Sequence, residues 1–319
     1  MAEADIPADL FNPGQVFACL GFLEAADILL GDAEGGFDWR DEGNIRFLLR
    51  ASGERNPFEA VLEFLAKSEI KRFGPVGYTD PRPEKEKKNE EDDEGNEADL
   101  DEENIDPTID QSETFPAKQG DKMTLPVRIS GSGHFVELGH WSDGSSREPF
   151  KLYSGNRSAE LIARAMLKGR RKKPSKKQKQ EGQPGDRTTK GLIQLWEEDR
   201  ARLTKEPFCV LTPMGGSFNF DPRGAWTAID AGYSPNDQKH TVAASPVVEF
   251  LAAWGLEHTR PEVFDDRQVR YAAWETPLSP MMARAALVSA VPCLPMKRFR
   301  FKLDLSGKNK IVIFAEEEI

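Results

Sequence analysis

The chain has 319 residues, 38% of them hydrophobic, which is enough apolar content for one large or two modest cores. Its formal charge is −11, but residues 84–106 carry 13 acidic side chains against 3 lysines, a net of −10, so the rest of the chain sums to −1 and overall acidity does not exclude a nucleic-acid partner. The acidic start lacks the basic-then-apolar order of a signal sequence, and Cys19, Cys209 and Cys293 have no paired spacing for zinc or redox chemistry. They read as buried thiols of a protein in a reducing cytoplasm.

Asn12 and Pro13 form a helix-start signal, followed by the apolar stripe Val16, Phe17, Leu20, Leu23, Ala26 and Leu30 and a glycine stop at Gly31. Glu24 and Asp27 interrupt this run, so it reads as too short and too polar to span a bilayer. Residues 44–50 suggest a strand. Asn56-Pro57 repeats the start signal for a helix bearing Val61, Leu62, Leu65 and Ile70. The first 78 residues are thus expected to form an α+β segment, ending where residues 79–123 become acidic and almost devoid of apolar side chains. That insertion is expected to be disordered, because it buries too little surface to offset the entropy of ordering it.

Residues 124–319 are expected to form a second α+β region, which can share one domain with 1–78. Strands are expected at 125–129 and 135–138, and helices at 158–168 and 189–205 around a basic loop, 168–187. That loop holds Lys168, Arg170, Arg171, Lys172, Lys173, Lys176, Lys177 and Lys179 with no acid among them, and suits tracking a phosphate backbone without reading bases. In the stretch 215–237, Phe218 and Phe220 alternate with Ser217 and Asn219, Asp221-Pro222-Arg223-Gly224 has turn composition, and 225–229 would be a second strand. A hairpin tip would result, offering the Asn219 amide and the Arg223 guanidinium to base edges; the competing reading has its polar groups satisfying the turn itself.

Ser245-Pro246 opens a helix with Val248, Leu251 and Ala252 inward and Gly255 at its end. A strand, a helix and two final strands complete the chain. In the first of these, Phe299, Phe301, Leu303 and Leu305 alternate with Arg298, Arg300 and Lys302, so one face packs and the other presents three cations about 7 Å apart. That spacing suits a phosphate backbone as well as ordinary polar-out alternation. Without regular βαβ order, the fold class is α+β rather than doubly wound.

Five segments together resemble a known family: Asn12-Pro13-Gly14-Gln15-Val16-Phe17-Ala18, Gly21-Phe22-Leu23-Glu24, the stretch 215–237, Trp274-Glu275-Thr276-Pro277-Leu278 and Arg298-Phe299-Arg300-Phe301. The chain is similar to the small, Cas-eight-like large-subunit family of type I-U (I-G) CRISPR systems. The resemblance covers both ends and the centre. It implies a non-catalytic subunit of an RNA-guided effector (Cascade) complex in antiviral defence. Its implied partners are the other effector subunits, guide RNA, target double-stranded DNA and a separate helicase-nuclease, with no membrane and no cofactor. It also implies recognition of the motif beside the target, a task that protein performs in such assemblies while base pairing reads the rest.

Two other classes stay open. In a precursor-RNA endonuclease, His134 in its Ser130-Gly131-Ser132-Gly133 context would be the general base, with Arg128 or Lys151 stabilising the transition state. An adaptor would dock on neighbouring subunits and touch no nucleic acid. Gly307-Lys308 lacks the spacing of a phosphate loop, and none of His134, His140, His240 and His258 is followed by aspartate. No metal site is expected.

Overall fold

The computed structural model describes residues 1–78, 109–113, 125–139, 150, 152, 159–171, 187–214, 217–225, 242–306 and 309–318. Its elements, in chain order, are β1 (Ala2–Pro7), α1 (Pro13–Leu30), β2 (Glu34–Asp38), β3 (Arg46–Ala51), α2 (Pro57–Lys67), β4 (Glu69–Pro75), β5 (Ile109–Ser112), β6 (Val127–Gly131), β7 (His134–Leu138) and α3 (Ala159–Lys168). They continue with β8 (Arg170–Arg171), β9 (Arg187–Thr189), α4 (Leu192–Lys205), β10 (Thr212–Pro213), β11 (Ala243–Ala244), α5 (Pro246–Gly255), β12 (Glu262–Asp265), β13 (Gln268–Trp274), α6 (Pro280–Leu287), β14 (Met296–Ser306), β15 (Asn309–Val312) and β16 (Glu316–Glu318). The chain is α+β, with helices and sheets in mixed order.

Helix α1 begins as its residues dictate: the Asn12 side chain accepts the Gln15 N–H, Pro13 occupies the first turn, and Gly31 beyond the last turn takes φ +81°. Its burial differs from the expected stripe. Every residue from Pro13 to Ala26 is buried, because α5, α2 and α6 all pack on it. The helix also has the length and apolarity of a membrane span, contrary to the expectation that it is too short and polar, and 78% of it lies inside the fold.

The crossing of α1 with α5 brings the two helix backbones into close approach. A Cβ on Gly21 would lie 2.0 Å from the Leu251 carbonyl oxygen, and one on Gly255 would lie 2.1 Å from the Phe17 carbonyl oxygen. Two glycines that face each other's helix backbone let the axes approach more closely than any side chain permits. Aromatic packing extends the contact: Phe17 meets Tyr271 edge-on at 5.6 Å, Tyr271 stacks on Phe299 at 5.4 Å, and the Tyr271 hydroxyl donates to the Leu10 carbonyl at 2.6 Å.

Three larger sheets surround this helical centre. β1-β3-β2 is antiparallel; β5-β4-β6-β7 is mixed; β12-β13-β14-β15 carries β16 as a further partner of β14. The first sheet is tied to the third through the Trp274 indole N–H, which donates to the Gly35 carbonyl at 2.7 Å, and through Phe37 edge-on to Trp274 at 5.4 Å. Buried apolar residues form one cluster from Ile6 to Ala315, so 1–78 and 124–319 share a core.

Several local expectations are corrected. Ile70 belongs to β4, not to the helix ending at Lys67; the α2 turn stops at Ser68, whose hydroxyl donates to the Phe64 carbonyl. Thr189 lies in β9 rather than opening a helix. Within the acidic insertion, Ile109–Ser112 pairs in parallel with β4, its β-branched first residue lying over Gly74. Apart from Glu113, the rest of that insertion lies outside the described residues. Of the cysteines, Cys19 is buried and its thiol is pushed well up by burial, whereas Cys209 and Cys293 are exposed at a 3-10 turn and in the loop before β14.

Substituting Gly21 by alanine forces the α1–α5 backbones apart, and we expect a loss of about 1–3 kcal/mol or more in unfolding free energy. Urea denaturation of Gly21→Ala beside Gly53→Ala, which meets nothing within 4 Å but has a positive φ, separates steric conflict from backbone strain. Equal losses in the two variants would refute the close-approach explanation.

Candidate nucleic-acid interface

From Arg298 to Leu303, β14 follows its alternation, with Phe299, Phe301 and Leu303 buried and Arg298, Arg300 and Lys302 exposed, whereas Leu305, expected on the packed face, is 39% exposed. Its neighbours extend the outward row. Antiparallel register puts Arg270 of β13 opposite Arg300, Gln268 opposite Lys302, and Ala272 opposite Arg298. On the other side, Glu316 of β16 lies opposite Arg300 and Glu318 opposite Arg298. At the sheet edge, Glu262 of β12 lies opposite Arg270.

The face is therefore a mixed-charge ladder rather than a purely basic groove. Arg270 is the most committed cation: its Nε donates to Glu318 Oε2 at 2.6 Å, a second nitrogen donates to Glu318 Oε1 at 3.0 Å, and a third reaches Glu262 at 3.2 Å. The Arg270 hydrogen bonds hold the Glu318 carboxyl below its usual range. Arg300 reaches Glu316 at 3.5 Å with both groups well exposed, a pair worth at most about 1 kcal/mol. Among the described residues Arg298 and Lys302 make no ion pair. A cleft of about 330 Å³ lined by Leu294, Met296, Lys297, Arg298, Glu317 and Glu318 lies at one end of the ladder, where Lys297 is within 3.4 Å of Glu317.

Of the second basic element, only the stem lies among the described residues. Arg170 and Arg171 form β8, paired antiparallel with β9 between α3 and α4, directly after Lys168 at the end of α3. Gly169 makes this possible, since a Cβ there would lie 2.4 Å from the Thr189 carbonyl oxygen. Lys172, Lys173 and the remaining loop cations lie outside the described residues, as do Lys151, His140 and His240.

The central stretch does not form the expected hairpin. Residues 217–220 are irregular, Pro222–Gly224 is a 3-10 turn, and the expected second strand lies outside the described residues beyond Ala225. Asn219 takes φ +66°; its Oδ1 accepts from the Ser217 hydroxyl, its amide nitrogen donates to the Leu152 and Lys310 carbonyls at 3.4 Å, and its carbonyl accepts from Val312 N–H. Arg223 donates to both oxygens of Asp221, one of these pairs at 2.6 Å, and to the Phe208 carbonyl at 2.8 Å. Both groups are engaged by the fold itself. The competing reading of the turn, in which its polar groups satisfy one another, describes these contacts.

Asp221 is the centre of that knot. It is 1% exposed and also accepts from the Asn12 amide at 3.2 Å and the Ser245 N–H at 3.0 Å, binding the start of α1 to the start of α5. Its own N–H donates to Glu249 Oε1 at 2.8 Å. Burial pushes the Glu249 carboxyl up to about 8, opposed by backbone N–H groups and reinforced by the Asp221 charge. Glu249 Oε2 has no hydrogen-bond partner among the described residues, as suits a carboxyl that keeps its proton.

His134 starts β7 on an exposed turn; Arg128, on the adjoining strand, spends its guanidinium on Glu137 at 2.6 Å and on the ring of Phe73 at 4.1 Å. Among the described residues no group of three or more His, Cys, Asp or Glu is placed to hold a metal ion. Sequence reasoning missed Arg270, Phe264 and the Glu316–Glu318 run as parts of the β14 face. The alternation Val269, Arg270, Tyr271 would have exposed the first of these, whereas the pairing of an acidic terminus with a basic strand is set by register alone. Comparison with known proteins finds no matching family model, curated protein or solved structure.

Removing the cation from a fully buried carboxylate leaves an uncompensated charge, so Arg223→Ala should cost about 3–5 kcal/mol, with part recovered in Asp221→Asn/Arg223→Ala. Unchanged stability in the single variant would refute the structural role. Glu249 gives a pH signature. Its folded pKa of about 8 stands above the unfolded 4.5, so its contribution is full below about pH 4.5 and is lost as pH rises to about 8. The urea midpoint of the wild type should fall between pH 5 and pH 8, and Glu249→Gln should flatten that fall; parallel profiles would contradict it.

Proposed function

We propose that the protein is a non-catalytic subunit of a type I-U/I-G RNA-guided effector complex that contacts target DNA through its phosphate backbone. The reading rests on the resemblance carried by the five sequence segments. The one geometric observation supporting it is the exposed row Arg298, Arg300 and Lys302 on β14, two of whose members make no ion pair among the described residues. The basic stem of Lys168, Arg170 and Arg171, with Lys172 and Lys173 following in sequence, is the second backbone contact in this reading. Asn219 and Arg223 serve as scaffold rather than as readers of bases, since their polar groups are held by the protein. Recognition of the adjacent motif, and work beside a helicase-nuclease, follow from the resemblance alone.

The neighbouring carboxylates moderate the expected affinity. Four cations, Arg270, Arg298, Arg300 and Lys302, face three acids, Glu262, Glu316 and Glu318, so binding by the isolated protein should be modest and steeply salt-dependent. An adaptor that meets only other subunits is the alternative, and this charge balance is the observation that favours it.

A salt-titrated DNA-binding assay decides between them. We expect low-salt binding by the wild type, and a loss of roughly tenfold with a shallower salt slope in Arg298→Ala/Arg300→Ala/Lys302→Ala. Absence of binding at low salt, with stoichiometric incorporation into the assembled complex, would establish the adaptor reading instead.

A further inference from the structure

An aromatic ring completes the β14 face. Phe264 lies where β12 breaks register between Val263 and Asp265, and its ring sits beneath the Arg270 guanidinium at 4.3 Å. Because Arg270 points outward beside Arg300, that contact places the Phe264 ring on the charged face rather than in the core. It remains 39% exposed although a large apolar ring at a sheet edge gains by burial. Glu262, opposite the outward Arg270, and Phe264 lie two residues apart, so strand alternation puts both on the outer face, and the register shift falls beside that ring.

We infer that this face is a platform for single-stranded DNA, with one base on Phe264 and Arg270 and successive phosphates on Arg298, Arg300 and Lys302. This deepens the proposed function and rests on it for the choice of DNA. Three features favour a single strand over duplex. Cations along one strand repeat every two residues, about 6.6–6.8 Å, close to the phosphate repeat of an extended chain. An exposed ring can stack on an unpaired base but has no access to one inside a helix. The outer rows lie on a sheet face rather than on a projecting helix or ribbon of the kind that enters a major groove.

The acids have a defined part in this arrangement. Glu318 and Glu262 hold the Arg270 guanidinium in place, its central carbon 4.3 Å from the centre of the Phe264 ring. Glu316 holds Arg300 only at 3.5 Å in solvent, a contact that a phosphate displaces at little cost. Arg298 and Lys302 need no displacement among the described residues.

The test uses the full chain, a labelled oligothymidine of about 15 nucleotides, the matching RNA and a duplex of the same length. Phe264→Ala should weaken single-strand binding roughly tenfold while leaving the salt slope unchanged, because a stack carries no counterion term. Phe264→Tyr, which keeps a stacking ring, should restore most of the affinity. Arg298→Ala/Lys302→Ala should lower the single-strand salt slope by about 1.4, the share of two phosphates. Phe264 is at an exposed edge, and thermal melting of each variant confirms the fold. Equal or tighter binding of duplex, tighter binding of RNA, or an unmoved single-strand affinity in Phe264→Ala overturns this inference but leaves a DNA-contacting subunit standing. Failure of the wild type to bind any of the three removes the proposed function's direct contact as well.

Discussion

The close approach of α1 and α5 is the constraint on which the rest of the fold depends. Gly21 and Gly255 lie opposite each other's helix backbone with no room for a methyl group. Because the two helices meet so closely, side chains elsewhere on α1 reach a neighbouring helix on one side and the last sheet on the other: Phe22 reaches Phe58 of α2, and Phe17 reaches Tyr271 and Phe301. A helix buried on every side needs residues that are apolar all round. This explains why α1 is as hydrophobic as a membrane span while lying within the protein.

The same two helices are fixed at their starts by polar chemistry. Asp221 joins Asn12, the cap of α1, to the N–H of Ser245, the cap of α5, and Arg223 neutralises it from the rim. A buried carboxylate is tolerated here because five donor groups converge on it, whereas Glu249 a few ångströms away is supplied less well and keeps its proton. The glycine contact sets the distance between the helices and the carboxylate knot sets their offset. The other buried carboxylates follow the same rule: Glu24 meets Arg284 of α6, and Glu160 lies between Arg72 and Arg164.

With the centre fixed, the last sheet can present its outer face as a working surface. Tyr271, Phe299 and Phe301 anchor β13 and β14 inward, so Arg270, Arg298, Arg300 and Lys302 must point outward. The acidic run of β16 then decides how strong that surface is, by leaving the cations only partly compensated.

Local chemistry was legible wherever it is carried by neighbours in sequence. The caps Asn12, Asn56 and Ser245, each followed by proline, mark three helix starts, and the alternation from Arg298 to Leu303 marks a strand and its exposed face. The same locality misled at 215–237. Phe218 and Phe220 alternate like a strand, yet both enter the core from irregular backbone; the Asn219 amide between them is held by the Leu152 and Lys310 carbonyls, and Arg223 after them by Asp221. Short strands such as β5 and β16 could not be foreseen either, since each exists through a partner strand distant in sequence. By itself the sequence determined where helices start, which strand faces alternate and where charge concentrates, because these depend on residues within a turn or two. Only the tertiary structure decided that Arg223 belongs to Asp221, that Glu316–Glu318 lies against the cations of β14 and that Phe264 joins Arg270, because register and long-range packing bring those groups together.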